Sequence, residues 1–549
     1  VSVHTDDYAI DPPADTAGVL GGFTLPEVFE AAAAASPDAV AVVDRDRSWT
    51  WRQWRAEVDA LARGLQESGV TPGDVVAVRL PNCWEFETLH LAVAAVGAVL
   101  LPVHQGTSDT DTLALLARAE PVVLVLSAAG SEDAEAARPF LRDVASLRSV
   151  LVAGAFGTAA GEPGITPLDG LLATWAGCAP RPVDVTPEMP LVLVPSSGTT
   201  SARPKLCVHS HDGLLSNTAA VAAEGSDAFR RPVLTACPLT HLFGLQSMHT
   251  ALFAACGQVL LTGWDPDRFL ELARRHDPGV VFAVPAQLHD LVARLAAPDG
   301  AAGFRPHEVR TAGAPVPPAL AGDVEAALGC GLAVVWGMSE AGTGTFSRVG
   351  DPVGSVGRPV NGSRVRVVDE HGAECPAGDT GELQFRGPGL FRGYFREPEL
   401  TRSALTEDGW LRTGDLAVLG ADGLVFLHGR ATELINVSGR KFSATEVQGL
   451  LAGLTGLGPL AVVGTPDTRL GECPCLVVTD RADPAIGLTE VTAFLHGLGV
   501  ADHKIPLELV SVRALPLTPA GKLDRRALER LLAGNEAAPA PVRPGAASF

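Results

Sequence analysis

The chain has 549 residues, 46% of them hydrophobic and only 5% aromatic, with a formal net charge of −21 and no basic block. That length calls for two to four structural units, and a profile rich in Ala, Val, Leu and Gly suits a soluble α/β protein. The acidic balance argues against nucleic acid and membrane partners, because both need a dense cationic footprint.

In chain order, Val1 to Ile10 carries Asp6 and Asp7 and shows no hydrophobic signal core. Residues 25 to 80 predict helix, short strand, helix, strand. Trp84 to Val103 predicts a helix feeding a strand; its apolar run, Leu91 to Val103, is too short to span a bilayer. Short β-branched runs follow at Pro121–Leu126, Val150–Val152, Leu191–Val194, Val233–Ala236, Val259–Leu261 and Val280–Ala283. Separated by Ala/Leu-rich stretches, they predict parallel sheets covered by helices. After about residue 350 the pattern changes to alternation, at Ser363–Asp369 and Gly381–Arg386, which predicts antiparallel strands. Ala421-Asp422-Gly423 predicts a hairpin turn between Trp410–Leu416 and Leu424–His428. A smaller α+β stretch runs from Glu446 to about Leu532, and the Ala/Pro/Gly-rich end is expected to be disordered. The nine scattered cysteines fit a reducing compartment, and a cytoplasmic location is expected.

Four segments carry candidate chemistry. Ser196-Ser197-Gly198-Thr199-Thr200-Ser201-Ala202-Arg203-Pro204-Lys205 follows a buried strand and offers hydroxyls, backbone N–H groups and an ammonium, the donors an anion needs. It also fits a solvated loop, and it lacks the spacing of a Walker loop. Trp336-Gly337-Met338-Ser339-Glu340 leaves the apolar strand Leu332–Val335 with an aromatic, a hydroxyl and a carboxylate, or as an ordinary strand exit. Asp415, in Thr413-Gly414-Asp415, and Arg430 across the hairpin can grip a ribose or simply pair. Pro519-Ala520-Gly521-Lys522 presents a lysine before a capped helix. Lysine is scarce: Lys205, Lys441, Lys504 and Lys522 are the only four, and arginine supplies the other cations.

In this order the four segments resemble the adenylate-forming superfamily of acyl- and aryl-CoA synthetases, luciferases and peptide-synthetase adenylation domains. The resemblance runs from roughly Phe29 to Leu532 and takes in Leu80-Pro81-Asn82 and Pro466-Asp467. It implies a large N-terminal domain (1–430) of stacked α/β sheets plus a β-barrel, a small mobile C-terminal domain (431–533), and a tail (534–549). It also implies that Ser196 to Lys205, including Ser197, Gly198, Thr199 and Thr200, cradle the ATP phosphates. Trp336, with Gly337 and Met338, would lie against adenine; Gly313-Ala314-Pro315 would form the turn beside it. Ser339 would contact the α-phosphate, Glu340 would hold Mg²⁺, and Asp415 and Arg430 would grip the ribose. Lys522 would bridge the substrate carboxylate and the adenylate, and Gly439 would lie near the incoming thiol.

The resemblance further implies ATP, Mg²⁺ and coenzyme A as cofactors, and a small-molecule carboxylic acid as substrate. The acceptor is CoA or a separate carrier protein, with release of the adenylate to a partner enzyme and a non-catalytic nucleotide binder as alternatives; a homodimer is left open. Three departures stand out. Ser201-Ala202-Arg203 is one residue longer than the family pattern, Trp336 replaces the usual tyrosine or phenylalanine, and Thr432 occupies the hinge position where the family has Asp or Lys. No aspartate lies between Cys237 and His249, which disfavours an α-amino acid. His241 matches an aromatic or histidine gate of the acyl site, with Phe243 and Gly244 beside it. Gly313, Gly337, Gly342 and Gly344 are expected around the acyl pocket, the last three leaving room for a bulky aryl, alicyclic or polycyclic acid. A metal role for His209, His211 and His241 is disfavoured, because no carboxylate or thiolate completes the set.

Overall fold

A computed structural model of the chain describes residues 21–127, 133–154, 163–196, 205–224, 226–298, 300, 303–438, 440–480, 482–517 and 523–534. Its strands fall into four sheets, of seven, nine, four and five strands.

The seven-stranded sheet runs, edge to edge, Ile165–Pro167, Ser149–Ala153, Val123–Ser127, Val75–Arg79, Val99–Pro102, Pro190–Ser196, Lys205–Ser210. Every pairing is parallel except the last. Strands such as Val75–Arg79 and Val99–Pro102 are buried residue after residue, which is why they read as continuous apolar runs. The hydroxyl-rich segment was expected to follow a strand in a parallel sheet, and Pro190–Ser196 does pair in parallel with Val99–Pro102. On its other side that strand pairs antiparallel with Lys205–Ser210, Ser196 opposite Lys205, a pairing the sequence reading did not include. The buried run Leu206-Cys207-Val208 forms the return strand, which Lys205 opens.

The nine-stranded sheet has a parallel centre, Gly331–Met338, Glu308–Ala312, Val280–Phe282, Val233–Thr235, Gln258–Leu260 and Val40–Asp44. Antiparallel strands extend it at both sides: Arg47–Thr50 at one, Gly342–Phe346 and Arg358–Pro359 at the other. The strand expected over Leu332–Val335 therefore continues to Met338 and turns straight back. Trp336 and Gly337 lie within it, and only Ser339, Glu340 and Ala341 remain for the turn.

Between the two sheets lies a core rich in tryptophan. Trp51 and Trp54 are 1% and 0% exposed and lie against Phe29, while Trp49 stacks on Trp84 at 4.7 Å. The Trp54 indole N–H donates to Thr88 Oγ1 at 3.0 Å, so its polar atom is satisfied in the apolar interior.

The alternating segments form the antiparallel four-stranded sheet Arg364–Val368, Thr380–Arg386, Leu411–Leu419, Val425–Arg430. At Arg430 the strand gives way to the 3-10 turn Ala431–Glu433, and a five-stranded sheet with its own apolar core follows. This is the smaller C-terminal domain. No helix among the described residues is long and apolar enough to cross a membrane.

Candidate functional site

In both parallel sheets the chain leaves the carboxyl ends of the strands through the segments singled out above, the edge at which α/β sheets bind ligands. At the end of the nine-stranded sheet, Trp336 is buried and its indole N–H donates to Asp415 Oδ2 at 2.8 Å. The other carboxylate oxygen, Oδ1, pairs with Arg430 Nε at 2.9 Å. The strand register sets Asp415 directly opposite Arg430, and the Thr413 hydroxyl accepts from the Asp415 backbone N–H at 3.0 Å. Three elements distant in sequence thus fix one carboxylate.

Glu340 sits in the turn after Trp336, 7% exposed. Its Oε1 accepts from the Tyr394 hydroxyl at 2.8 Å, and the Tyr394 ring lies under the Lys205 ammonium at 4.9 Å. The segment carrying Tyr394 is sewn to the Leu206–Val208 strand by three backbone hydrogen bonds: Arg392 N to Val208 O, Val208 N to Gly393 O, and Phe395 N to Leu206 O. Phe391 N donates to the Glu340 carbonyl at 2.8 Å. Burial and the adjoining carboxylate push the Tyr394 phenol well up, so it stays a donor.

Ser339 is held through its backbone. Burial pushes His209 down to about 4, which keeps the imidazole neutral, and its Nε2–H donates to the Ser339 carbonyl at 2.6 Å. Asn217 grips the outgoing strand: its Nδ2 donates to Thr343 O at 2.7 Å and its Oδ1 accepts from Thr343 N at 2.9 Å. Gly313, Ala314 and Pro315 form an exposed turn after Glu308–Ala312; Gly313 has φ +90° and open space where a Cβ would stand.

On the acyl side, His241 precedes the helix Leu242–Phe253, and its ring lies 5.8 Å from that of His104. The turn before it is clamped by Asn82, whose amide donates to the Cys237 carbonyl and accepts from Leu239 N, each at 2.8 Å. Phe243 packs against Phe282 at 5.3 Å. Gly244 is required by close approach, since a Cβ there would stand 2.0 Å from the Pro238 carbonyl oxygen.

The expectation that Gly337, Gly342 and Gly344 leave room for a bulky acid is corrected. A Cβ at Gly337 would stand 2.2 Å from Gly342 O, and one at Gly344 would stand 2.2 Å from Trp336 Cζ3. At Gly342, with φ +61°, it would stand 3.0 Å from Asn217 Oδ1. These glycines let two strands and an indole meet.

Ser196 is buried, while Ser197, Gly198, Thr199, Thr200, Gly439 and Lys522 lie outside the described residues. Met338 and Ser339 are half-buried, and Thr432 belongs to the 3-10 turn Ala431–Glu433. Among the described residues no group of three or more His, Cys, Asp or Glu side chains is placed to hold a metal ion. A cation bridged by phosphates needs less. Mg²⁺ is commonly bound through one or two carboxylates plus substrate phosphates and water, and Glu340 offers one such oxygen, because Oε2 has no hydrogen bond among the described residues. The donor set fits.

Sequence reasoning passed over Tyr394, Asn217 and the role of Asn82. Tyrosine is even scarcer than lysine, with two in the chain, and that scarcity is a signal the sequence reading did not use. A cavity of about 900 Å³ opens at the opposite edge of the nine-stranded sheet, lined by Trp51, Phe253 and Gln258 among others, and none of the site residues borders it.

The profile of the family described as AMP-binding enzyme matches residues 29–395. A Streptomyces griseus protein, "Protein Y", is 56% identical over 288 residues, 52% of this chain and 92% of its own. A salicylyl-CoA synthase / salicylate adenylyltransferase of a Streptomyces species is 34% identical, covering 90% of this chain and 91% of its own. The 2-hydroxy-7-methoxy-5-methyl-1-naphthoate–CoA ligase of Streptomyces carzinostaticus is 32% identical, over 93% and 94%. Among solved structures, an ATP-bound RpMatB–BxBclM chimera superposes with a TM-score of 0.80 at 26% identity, over 93% of this chain and 100% of the other.

Proposed function

The chain belongs to the AMP-binding enzyme family, and on that premise we propose that it activates an aryl carboxylic acid with ATP and passes the aroyl group to the thiol of coenzyme A. One observation carries the reading. Two sets of contacts, Lys205–Tyr394–Glu340 and Trp336–Asp415–Arg430, meet at the strand end and turn that carry Trp336 and Glu340.

A carboxylate oxygen of the acid attacks the α-phosphorus, the bond to the bridging oxygen of pyrophosphate breaks, and aroyl-AMP forms. Two anions must meet. At about 4 Å, like unit charges repel by about 4 kcal/mol at an effective dielectric near 20. The chain's own contributions oppose that repulsion. The loop from Ser196 to Lys205 receives the β- and γ-phosphates, Ser339 borders the α-phosphate, and Lys522 brings a late-arriving point charge to the reacting oxygens. Asp415, held by Trp336 and Arg430, accepts from the ribose hydroxyls. Glu340 is the residue that would hold Mg²⁺, which when bound neutralises charge on the phosphates. In the second half, the thiol sulfur attacks the aryl carbonyl and AMP leaves, with Gly439 near the entering thiol and Thr432 at the hinge. The domain division at 430/431 serves that rearrangement.

A Mycobacterium tuberculosis relative, 32% identical and named salicyl-AMP ligase / salicyl-S-ArCP synthetase, favours a second reading for the acceptor alone, loading of a separate carrier protein. Exchange of labelled pyrophosphate into ATP across a panel of hydroxybenzoic and naphthoic acids tests the first half-reaction; no exchange with any acid would sink the ligase reading. Mass spectrometry of the product with CoA, then with a phosphopantetheinylated carrier, distinguishes the acceptors. Lys522→Ala is expected to abolish exchange while sparing thioester formation from supplied aroyl-AMP.

A further inference from the structure

Tyr394 has no part in the reaction derived above, yet it touches two of its members. Its hydroxyl donates to Glu340 Oε1 at 2.8 Å and its ring carries the Lys205 ammonium at 4.9 Å. It is 4% exposed, and its backbone N–H donates to Thr401 Oγ1 at 2.9 Å, so the ring has little freedom. The backbone on either side is fixed to the strand that begins at Lys205, and Phe391 is fixed to Glu340 itself. A donor this constrained selects one orientation of its carboxylate partner, because a hydrogen bond to an ionised acceptor is both short and strong.

We propose that Tyr394 is a positioning residue for the cation site: its hydroxyl occupies Glu340 Oε1 and so commits Oε2 to the metal that accompanies ATP, while its ring holds the Lys205 ammonium beside the phosphates' path. The inference rests on the reading of Glu340 as the cation's protein ligand. It gives the hydroxyl and the ring separate consequences. Removing the hydroxyl frees the carboxylate to rotate and weakens the metal. Removing the ring also releases Lys205 and weakens nucleotide binding without metal.

The test uses the full chain with Mn²⁺ as the metal probe and a non-hydrolysable ATP analogue. Tyr394→Phe is expected to lower Mn²⁺ affinity of the enzyme–nucleotide complex about tenfold by electron paramagnetic resonance, the scale of a hydrogen bond to a charged group. It should raise the Mg²⁺ needed for half-maximal pyrophosphate exchange by the same factor and leave KM for the acid unchanged. Tyr394→Leu is expected to add a loss in metal-free analogue binding. In a Glu340→Gln background, Tyr394→Phe should change Mn²⁺ affinity no further.

A folded Tyr394→Phe with wild-type Mn²⁺ affinity overturns the proposal. Glu340→Gln with wild-type Mn²⁺ affinity overturns the underlying reading of Glu340 instead. A measurement on the intact protein covers the case of a variant that does not fold. The chain has two tyrosines, Tyr8 and Tyr394, so 3-fluorotyrosine labelling yields two ¹⁹F resonances, assigned with Tyr8→Phe. The Tyr394 resonance is expected to shift when Mg²⁺ is added to the analogue complex; a resonance insensitive to Mg²⁺ overturns the proposal.

Discussion

The indole N–H of Trp336 lies 2.8 Å from Asp415 Oδ2, joining the end of a parallel strand to a hairpin 79 residues further along the chain. A phenylalanine at that position has no such donor. Trp336→Phe is therefore expected to raise KM for ATP about 3- to 10-fold, the scale of one neutral donor on a buried acceptor, with KM for the acid unchanged. Steady-state kinetics with each substrate varied in turn checks this; equal rises in both constants would assign Trp336 a general structural role.

Gly344 is the glycine that admits that indole, since a Cβ there would stand 2.2 Å from Trp336 Cζ3. Gly344→Ala is expected to destabilise by about 1–3 kcal/mol through overpacking and to raise KM for ATP as Trp336→Phe does. The two substitutions should be strongly non-additive, because each acts by displacing or removing the same ring. Denaturant unfolding of the two single variants and the double variant measures the coupling.

Asn82 offers a separate test on the acyl side. Its amide satisfies two buried backbone groups, at Cys237 and Leu239, in the turn that leads to His241. Asn82→Ala orphans both, so a loss of about 2–4 kcal/mol is expected. KM for the acid should rise more than KM for ATP, since the clamped turn leads to the acyl side and not to Trp336 or Asp415.

Acid should destabilise the protein through its buried histidines. Burial pushes His211 and His249 each down to about 3 and His209 to about 4, whereas all three titrate near 6.5 when unfolded. Their contribution is complete above about pH 6.5 and falls with pH, because between about 6.5 and 4 only the unfolded chain takes up those protons. Glu87, whose carboxyl complete burial pushes well up, acts in the opposite sense above the unfolded carboxylate range. A substitution isolates one histidine. His211 Nδ1 accepts from Leu25 N at 3.0 Å, and an asparagine Oδ1 can take its place without titrating. His211→Asn should reduce the slope of stability against pH by about 1.4 kcal/mol per unit between pH 5 and 6; an unchanged slope would remove His211 from the account.

Much of the fold was legible because its signals are local. The short apolar runs at Val75–Val78 and Val99–Pro102 match strands buried on both faces, and the alternating polar and apolar residues at Ser363–Asp369 and Gly381–Arg386 match antiparallel strands. The return strand Lys205–Ser210 was missed because it lies between Pro190–Ser196 and the Tyr394 segment, and a buried strand flanked on both sides does not show in its composition which way it runs. Tyr394 was missed for a different reason. Nothing within ten residues of it in the sequence says that Glu340 and Lys205 will be its neighbours.

The sequence by itself determined the class of fold and the order of the four site segments, because residue types, spacing and periodicity are properties of the chain, and the resemblance those segments carry implied activation of a carboxylic acid by adenylation. Only the tertiary structure decided that Gly344 makes space for an indole, that Trp336 holds Asp415, and that Tyr394 ties Glu340 to Lys205. Gly344 and Trp336 meet across neighbouring strands, and the other pairs join residues 54 to 189 positions apart. They arise when sheets meet and side chains compete for the same few cubic ångströms, and no local pattern in the chain encodes that competition.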